Sequence, residues 1–534
     1  MIFLRHRSRL LLPLLLGWAL LSGGDRDLRA QTPENSDLRA QTPPDTKAHV
    51  VPDTKAHIAL DAKAHIVLST VSANYREGLL ALGREYEQQH PNVSVTVQVQ
   101  PTNGYETVLR TQIESHSVGA PDIYNVNFTN GYYERGLLVN LTPFLSERDP
   151  YTGKPWRDSL DAQFLEKYKS GGDVATIPLD FIEVAFFYNK RLFDRLGLQP
   201  PRTWEEMLTT AQKVKQAGYI PFAVPGDTDS YWSGTVGWIF RFFTDAYLRD
   251  AVPQVMAQPG DWDYDARKNA DFRLDVADPY NDSKVIVNSE RLIAAVRDHK
   301  IRMDSPRFRE AYRKIFAFAQ YWQPGFNGTS ANSAYQLFLT QKAAMMINAS
   351  PTIATLTRDM EDLYLRDRFD WGLFPVPPLT QSAFHIPPFR GVGGAGVVFG
   401  VVKKNDAQTR RVVDFLMYLT SPHAAQTLVA EATKARQPIN GPLLIPGAVL
   451  PDAIARRFSA FEHRGFEKLS FRGLADEQES VWKWTVWAQR YLDGRISLDD
   501  CLAHYQQVMD EATPRVIHAM NYDMDPHTKD PPKP

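Results

Sequence analysis

The chain has 534 residues, of which 43% are hydrophobic and 23% are charged, and its formal net charge is −2. This length exceeds what a single hydrophobic core supports, so two or three domains are expected. Acidic and basic residues are nearly balanced and spread along the chain, which excludes a basic surface of the kind that binds nucleic acid. Cys501 is the only cysteine, and disulfides within the chain are therefore excluded.

Residues 1–30 are predicted to be a secretory signal peptide. Three arginines lie within the first nine residues, and the apolar stretch Leu10–Leu21 is too short to span a bilayer. Cleavage fits after Gly24 or Ala30, and an uncleaved anchor is the alternative. The stretch LLSGG carries Gly24 where a lipoprotein signal has its cysteine. We therefore expect an exported, soluble protein without a lipid anchor.

Residues 31–64 are predicted to be a flexible, repetitive leader. The heptapeptide DLRAQTP occurs twice, and an eight-residue repeat then places His49, His57 and His65 in register. A metal site is the alternative interpretation of these histidines. Because the copies look like duplications of the entry to the first strand, no metal and no cofactor is predicted.

From His65 onward, strand patterns alternate with helix patterns, which predicts an α/β fold with mainly parallel sheets covered by helices. In such sheets, ligands bind beyond the carboxyl ends of the strands. This points to Asn74 and Tyr75 after the first strand, HIVLST. It also points to Asn127 and Phe128 at the end of PDIYNVNF. A plain surface loop is the alternative at both places.

The segment RTWEEM predicts a helix with a reciprocal cap. Thr203 is suited to accept from the first turn while Glu206 reaches back. The apolar spacing that follows places Trp204 in a core rather than at a ligand. The last strong helix pattern ends near residue 515, and the polar, proline-rich tail 516–534 is expected to be flexible.

Two acids lie in the otherwise apolar stretch PLDFIEVAFFYNK, which begins at Pro178. Asp180 and Glu183 would be costly there if they were unpaired. Since side chains alternate along a strand, these two acids are predicted to point to opposite faces.

Several motifs in this order resemble one family. FFYNKRLFDRLGLQPPRTWEEM is similar to the YNK-plus-TWEE signature of the bacterial extracellular solute-binding proteins of ABC importers (family 1, carbohydrate type). PDIYNVN, FLTQKAAMMINAS, GGAGVVFGVVKKN with VVDFLMYLTSPHAAQ, and LDGRISLDDCL resemble further family segments. Together they cover residues 65–512.

The resemblance implies a two-lobed periplasmic-binding-protein fold of type II, with a hinge between the lobes. The expected first lobe comprises 65–179 and 392–440, and the second comprises 180–391 and 441–515. The chain would cross between them near Pro178–Ile182, Phe389–Gly394 and Gln437–Gly441.

The resemblance also suggests polar ligand contacts at the crossings. Asp180 is favoured as the ligand acid, because it shares a strand face with the family's usual acidic position, which is Ile182 here. A carboxylate there can accept hydrogen bonds from sugar hydroxyls. The alternative is a hinge carboxylate paired to lysine or arginine. The candidate ligand-binding residues at the crossings are Asp180, Glu183, Ser350, Arg390 and Gly394.

Aromatic residues that stack on sugar rings are the other expected contacts. Tyr231 and Trp232 lie in the loop where relatives use an aromatic, with packing at a helix start as the alternative. Trp482 is a candidate near the end of the chain. The chain departs from the family where Pro351 and Val481 replace stacking tryptophans, which puts the sugar ligand in question.

The implied function is capture of a sugar or oligosaccharide between the lobes and its delivery to an ABC permease in the inner membrane. A periplasmic location and a monomer are expected, without enzymatic activity and without a nucleic-acid partner. The alternatives are a non-sugar solute such as a polyol or glycerol phosphodiester, a sensor that presents its ligand to a receptor, and a secreted glycosidase. No P-loop motif is present, so the chain is not expected to power transport.

Overall fold

The computed structural model describes most of the chain after the leader. The described residues are 63–101, 104–115, 117, 119–126, 132–133, 135–170, 173–228, 231, 234–264, 272–276, 278, 285–458, 465, 467–469 and 478–525. All of them lie in one compact unit, Thr54–Pro534, and the other unit, Met1–Asp53, falls outside this description. The predicted signal peptide and nearly all of the leader therefore lie outside the described residues. Among the helices in these ranges, none is both long and apolar enough to cross a membrane.

Short strands and longer helices alternate along the described chain. The described strands are β1 (Ala64–Thr70), β2 (Val93–Val99), β3 (Ile123–Asn125), β4 (Lys169–Ser170), β5 (Asp173–Val174), β6 (Thr176–Pro178), β7 (Val184–Asn189), β8 (Ile220–Ala223), β9 (Ala343–Ala349), β10 (Trp371–Phe374) and β11 (Val398–Val401). The described α-helices are α1 (Arg76–Gln89), α2 (Tyr105–Glu114), α3 (Ala162–Lys167), α4 (Lys190–Leu196), α5 (Trp204–Gln216), α6 (Thr235–Leu248), α7 (Val252–Val255), α8 (Ser289–Arg297), α9 (Pro306–Ala319), α10 (Ala331–Leu339), α11 (Pro351–Asp362), α12 (Asp406–Leu419), α13 (Pro422–Lys434), α14 (Asp452–Phe458), α15 (Gln478–Leu492) and α16 (Leu498–Ala519).

The first lobe is built on a sheet with the strand order β2-β1-β3-β11-β6. β1 pairs in parallel with β2 and with β3, where Leu68 lies opposite Ile123. Both side chains are fully buried, in a core that also holds Leu82 of α1, Phe415 of α12 and Leu428 of α13. The apolar strand β1 therefore packs against helices, as the sequence predicts.

The second lobe is built on a sheet with the order β10-β7-β9-β8. Its strand β7 is buried on both faces, which explains its continuous apolar sequence VAFFYN. On one face, Phe186 stacks on Phe374 with 5.0 Å between ring centroids. On the other face, Phe187 packs in a separate cluster with Trp371 and Ile353.

The expectation of mainly parallel sheets needs a correction. In the first sheet, β11 runs antiparallel to both β3 and β6, and in the second, β7 runs antiparallel to both β10 and β9. Each antiparallel strand directly follows a crossing between the lobes. A strand that enters a lobe from the hinge runs away from it, whereas β1, β3 and β9 run toward it.

The predicted helix start at Thr203 has the expected cap with one difference. Thr203 Oγ1 accepts from the backbone N–H of Glu206 at 3.1 Å. The Glu206 carboxylate accepts from the backbone N–H of Arg202 at 2.7 Å, one residue earlier than a capping box requires. Trp204 is 1% exposed and packs on Phe243, so its assignment to the core is confirmed.

Two boundaries lie later than the sequence suggests. Leu443 and Ile445 pack in the core of the first lobe, so that lobe extends beyond residue 440. Leu450 and Ile454 then contact the cores of both lobes. At the end of the chain, α16 continues to Ala519 and contains Pro514, so ordered structure continues past the predicted tail boundary at 516.

Candidate functional site

The two lobes are joined by three segments that lie side by side. The first crossing segment, Leu179–Glu183, lies between the other two. Ile182 exchanges two backbone hydrogen bonds with Gly394 of the second segment, with N–O distances of 2.7 and 2.9 Å. On its other edge, Phe181 N–H donates to the carbonyl of Pro442 at 3.0 Å, and Leu444 N–H donates to that of Leu179 at 2.8 Å. These backbone contacts join the three segments into one small sheet at the hinge.

Asp180 connects all three crossing segments. Its Oδ1 accepts from the backbone N–H groups of Gly396 and Val397, both at 2.8 Å. Its Oδ2 accepts from Nδ2 of Asn440 at 2.7 Å. The hydroxyl of Tyr75 also bonds to this carboxylate. Asp180 has no exposed surface, and this burial raises the pKa of its carboxyl group.

This placement corrects the expectation that the Asp180 carboxylate is available to a ligand at the crossing. The carboxylate is deep in the hinge, and protein donors occupy both of its oxygens. The alternative of a hinge carboxylate agrees better with the geometry, although its partners are amides and a phenol rather than lysine or arginine. Because charge-assisted hydrogen bonds are strong, Asp180 holds the crossing segments in fixed register.

Asn74 and Tyr75 extend this network from the end of β1. The Asn74 side-chain amide donates to the carbonyl of Pro438 at 3.1 Å and to Oδ1 of Asn440 at 3.2 Å. Tyr75 is 2% exposed, and its hydroxyl accepts from the backbone N–H of Asn440 at 3.4 Å. The structure therefore brings both predicted residues to the hinge, where they contact the third crossing segment.

Glu183 and Ser350 form the second-lobe side of the hinge. The hydroxyl of Ser350 donates to the carbonyl of Asn440 at 2.6 Å, and its oxygen accepts from the backbone N–H of Glu183 at 3.2 Å. Ser350 N–H donates in turn to the carbonyl of Glu183 at 2.8 Å. Gly391 of the second crossing segment lies against the Glu183 side chain, since a Cβ on Gly391 would be 2.5 Å from a Glu183 carboxylate oxygen.

A group of charged side chains surrounds the second crossing segment. The Lys167 ammonium of α3 donates to the carbonyl of Gly393 at 3.1 Å. Burial raises the pKa of Glu183 to about 7. The hydrogen bond from the backbone N–H of Val184 and the positive charges of Lys167 and Arg241 act in the opposite direction and lower this pKa. Burial, aided by the charge of Lys468, lowers the pKa of Lys167 to about 7. Residues from both lobes thus share one electrostatic environment at the hinge.

Arg390 and Gly394 stabilise the backbone of the second crossing segment. The Arg390 side chain is 2% exposed and donates to the carbonyls of Pro388, Val276 and Asp278 at 2.7–3.2 Å. Gly394 pairs with Ile182, as described above. In this structure both residues hold the backbone of the crossing segment.

The aromatic candidates have different outcomes. Tyr231 needs a correction, because its ring is fully buried in the second-lobe core and its carbonyl accepts from Gly237 N–H at 2.9 Å. This agrees with packing at the start of α6. Asn127, Phe128 and Trp232 lie outside the described residues. Trp482 is on α15 with 57% of its surface exposed.

A small cavity lies at the edge of the second sheet, where β8 and β9 end. Its volume is about 70 Å³, and it is lined by Thr235 at the start of α6 and by Trp238, Tyr335 and Asn348, among others. β9 leads directly from this cavity into Ser350 at the hinge. The cavity therefore occupies the edge at which ligands bind in open α/β sheets.

Sequence reasoning missed several hinge residues. Asn440 lies in the predicted third crossing, within the sequence NGP, and its position there could have suggested a hinge role. Lys167, Tyr168 and Arg241 gave no signal. The hydroxyl of Tyr168 accepts from the backbone N–H of Ala395 at 2.8 Å, a contact between residues more than 200 positions apart. Within the described ranges, no group of three or more acidic, histidine or cysteine side chains could hold a metal ion.

Comparison with known proteins identifies the family. The model of the family described as "Bacterial extracellular solute-binding protein" matches residues 72–426, which is more than half of the chain. The multiple sugar-binding protein of Streptococcus mutans is 22% identical over 348 residues, covering 64% of this chain and 68% of that protein. The melibiose/raffinose/stachyose-binding protein MelE of Bacillus subtilis is 22% identical over 36% of this chain and 40% of its own length.

Solved structures support the same fold. The apo form of RafE from Streptococcus pneumoniae aligns with a TM-score of 0.59 at 16% identity, covering 85% of this chain and 98% of RafE. A chitin oligosaccharide binding protein aligns with a TM-score of 0.57 at 18% identity, covering 85% of this chain and 99% of that protein. The two-lobed fold and the family predicted from the motifs are confirmed, and the chain belongs to the bacterial extracellular solute-binding proteins.

Proposed function

We propose that this protein captures a sugar or oligosaccharide between its two lobes and delivers it to an ABC permease in the membrane. The observation that carries the proposal is the hinge, where three crossing segments are held in register around the Asp180 carboxylate. Hinge closure around a ligand requires two rigid bodies joined by a few residues that absorb the motion. A ligand that contacts both lobes shifts the equilibrium toward the closed form.

The proposal of a sugar ligand rests on the relatives and on the lining of the second-lobe edge. The named relatives bind multiple sugars, melibiose, raffinose and stachyose, or chitin oligosaccharides. The small cavity beside β9 combines the aromatic rings of Trp238 and Tyr335 with the amide of Asn348. Rings that pack on sugar faces beside a few polar groups are typical of such sites. At about 70 Å³ this cavity is one part of a larger site.

We propose that the ligand contacts come from loops around the hinge, while Asp180 and Tyr75 set its geometry. In the sequence, Trp232 comes shortly before the start of α6, and Asn127 and Phe128 come directly after Val126. Trp482 is a further exposed ring. The protein would act as a monomer outside the cytoplasmic membrane, in the periplasm, with the permease as a separate chain. Binding, not catalysis, is the proposed activity.

A thermal-shift screen of the full chain tests this proposal. The probes are mono- and oligosaccharides, polyols and glycerol phosphodiesters. A ligand at 100 times its dissociation constant adds about 2.7 kcal/mol to the free energy of unfolding if it binds only the folded state. We expect a rise in Tm with a sugar, and we expect Trp232→Ala to weaken it. Tyr364→Ala serves as a matched control, since it removes an exposed ring from the loop after α11. A shift with polyols or phosphodiesters but with no sugar would overturn the sugar assignment.

A further inference from the structure

The small cavity beside β9 is too narrow to hold a whole sugar ring. Its volume is about 70 Å³. An apolar cavity of about 150 Å³ holds one benzene molecule, so this cavity has room for roughly half as many heavy atoms, which is about three. A group of that size is a substituent of a ligand rather than the ligand itself. The cavity can therefore receive one short substituent of a molecule that lies in the interlobe site.

The wall of this cavity is mainly apolar. α10 contributes Ala331 and Ala334, and β9 contributes Met346. Trp238 of α6 and Tyr335 of α10 line the same space. Transfer of an apolar group from water to such a wall is favourable, in proportion to the apolar area that leaves water.

Two hydroxyl groups in the wall already donate to the protein. The Tyr335 hydroxyl donates to a carboxylate oxygen of Asp359 at 2.8 Å, and the Thr235 hydroxyl donates to the carbonyl of Ile347 at 3.1 Å. A ligand hydroxyl that entered would therefore exchange water for a wall whose own hydroxyl hydrogens are already in use, which is unfavourable.

Asn348 supplies a donor beside this apolar wall. Its side chain is half-buried and lines the cavity. Its Oδ1 accepts from the backbone N–H of Ala349 at 2.9 Å, which fixes the orientation of the amide. Among the described residues, no acceptor lies within hydrogen-bond distance of its NH2 group, which carries two hydrogens. A substituent that suits the cavity thus combines an apolar end with a hydrogen-bond acceptor.

We propose that this cavity receives the acetyl group of a 2-acetamido sugar and thereby selects the ligand of the interlobe site. An acetyl group consists of a methyl group, a carbonyl carbon and its oxygen, which matches the available volume. The methyl group suits the wall formed by Ala331, Ala334 and Met346, and the carbonyl oxygen can accept from Nδ2 of Asn348. A hydroxyl group on the same sugar carbon would not fill the space. The inference rests on the proposed function, because the sugar ring would lie between the lobes.

Isothermal titration calorimetry of the full chain tests this selection with pairs of sugars that differ only at C2. The pairs are N-acetylglucosamine and glucose, N-acetylgalactosamine and galactose, and chitotriose and cellotriose. In at least one pair, we expect the acetamido sugar to bind at least about tenfold more tightly, since one buried methyl group and one hydrogen bond each contribute severalfold.

Two variants decide whether this cavity is responsible. Ala331→Leu enlarges an exposed side chain that lines the cavity, and Asn348→Asp removes the NH2 group but keeps an acceptor for the N–H of Ala349. Both are expected to abolish the preference for the acetamido sugar. The controls are Asn332→Leu and Asn332→Asp, at an exposed position of α10 outside the cavity lining, and they should keep the preference of the wild type. Thermal unfolding verifies that each variant is folded.

Each outcome has one meaning. If both members of every pair bind equally tightly, or if sugars bind but no acetamido sugar does, the inference is overturned and the proposed function stands. The inference is also overturned if the preference persists in Ala331→Leu and Asn348→Asp. If no sugar binds in these titrations or in the thermal-shift screen, the proposed function fails and the inference fails with it.

Discussion

Asp180→Ala is the substitution that tests the hinge most directly. Removing the carboxylate leaves the backbone N–H groups of Gly396 and Val397 and the amide of Asn440 without their acceptor. Each buried donor that loses its partner costs about 1–3 kcal/mol. We therefore expect the free energy of unfolding to fall by about 3–6 kcal/mol, since water entering the vacated space will satisfy part of this set.

Asp180→Asn refines the same prediction. The asparagine carbonyl can still accept from the two backbone N–H groups, but its NH2 faces the donor nitrogen of Asn440. One unfavourable contact between two donors, in place of three donors without an acceptor, predicts a smaller loss of about 1–3 kcal/mol.

Urea unfolding followed by circular dichroism and by tryptophan fluorescence measures these changes. Coincidence of the two transitions shows whether a single free energy describes both lobes. Asp194→Ala is the matched control, because Asp194 is an exposed residue of α4 and its loss should change stability by at most about 0.5 kcal/mol. The reasoning is refuted if Asp180→Ala and Asp194→Ala unfold at the same urea concentration.

Three further predictions concern pH, close packing and a helix cap. The pKa of Glu183 is raised in the folded state to about 7, so this residue stabilises the fold at low pH and the contribution is lost as the pH rises from its unfolded pKa to 7. The pKa of Lys167 is lowered in the folded state to about 7, so its contribution to the free energy of unfolding grows from pH 7 up to its unfolded pKa. Urea unfolding at a series of pH values should therefore show a stability minimum near neutral pH. The rise in stability on the acid side should disappear in Glu183→Gln, and the rise on the alkaline side should disappear in Lys167→Met. Gly441→Ala would place a Cβ against the backbone carbonyl of Phe181 in the first crossing segment and should destabilise the protein by about 1–3 kcal/mol. Gly328→Ala, which has open space around the added Cβ, is the control and should leave stability unchanged. Equal urea midpoints for the two variants would contradict the predicted clash. Thr203→Ala removes the cap of α5 and should lower the free energy of unfolding by about 1 kcal/mol; an unchanged urea midpoint would show that the cap contributes nothing.

Local features of this protein could be predicted from its sequence. The cap at Thr203 and the burial of Trp204 follow from residue types at fixed spacing, because helix capping and amphipathic packing depend on neighbours a few positions away. The order of the motifs along the chain was enough to predict the family and the two-lobed fold. It also placed Asp180 and Glu183 at a crossing between the lobes, since both lie in the first segment that enters the second lobe.

Only the tertiary structure decided what these residues contact. The hydrogen-bond partners of Asp180 are far from it in the sequence and include Tyr75 and Asn440. No local sequence pattern specifies which distant segment will approach a carboxylate. For the same reason the sequence predicted a ligand contact at Asp180, although protein donors occupy both of its carboxylate oxygens, and a sugar contact at Tyr231, although its ring lies in the core. The antiparallel direction of β7 and β11 could not be predicted from local sequence either. It follows from the crossing segments that precede these two strands, because each strand starts at the hinge and runs away from it.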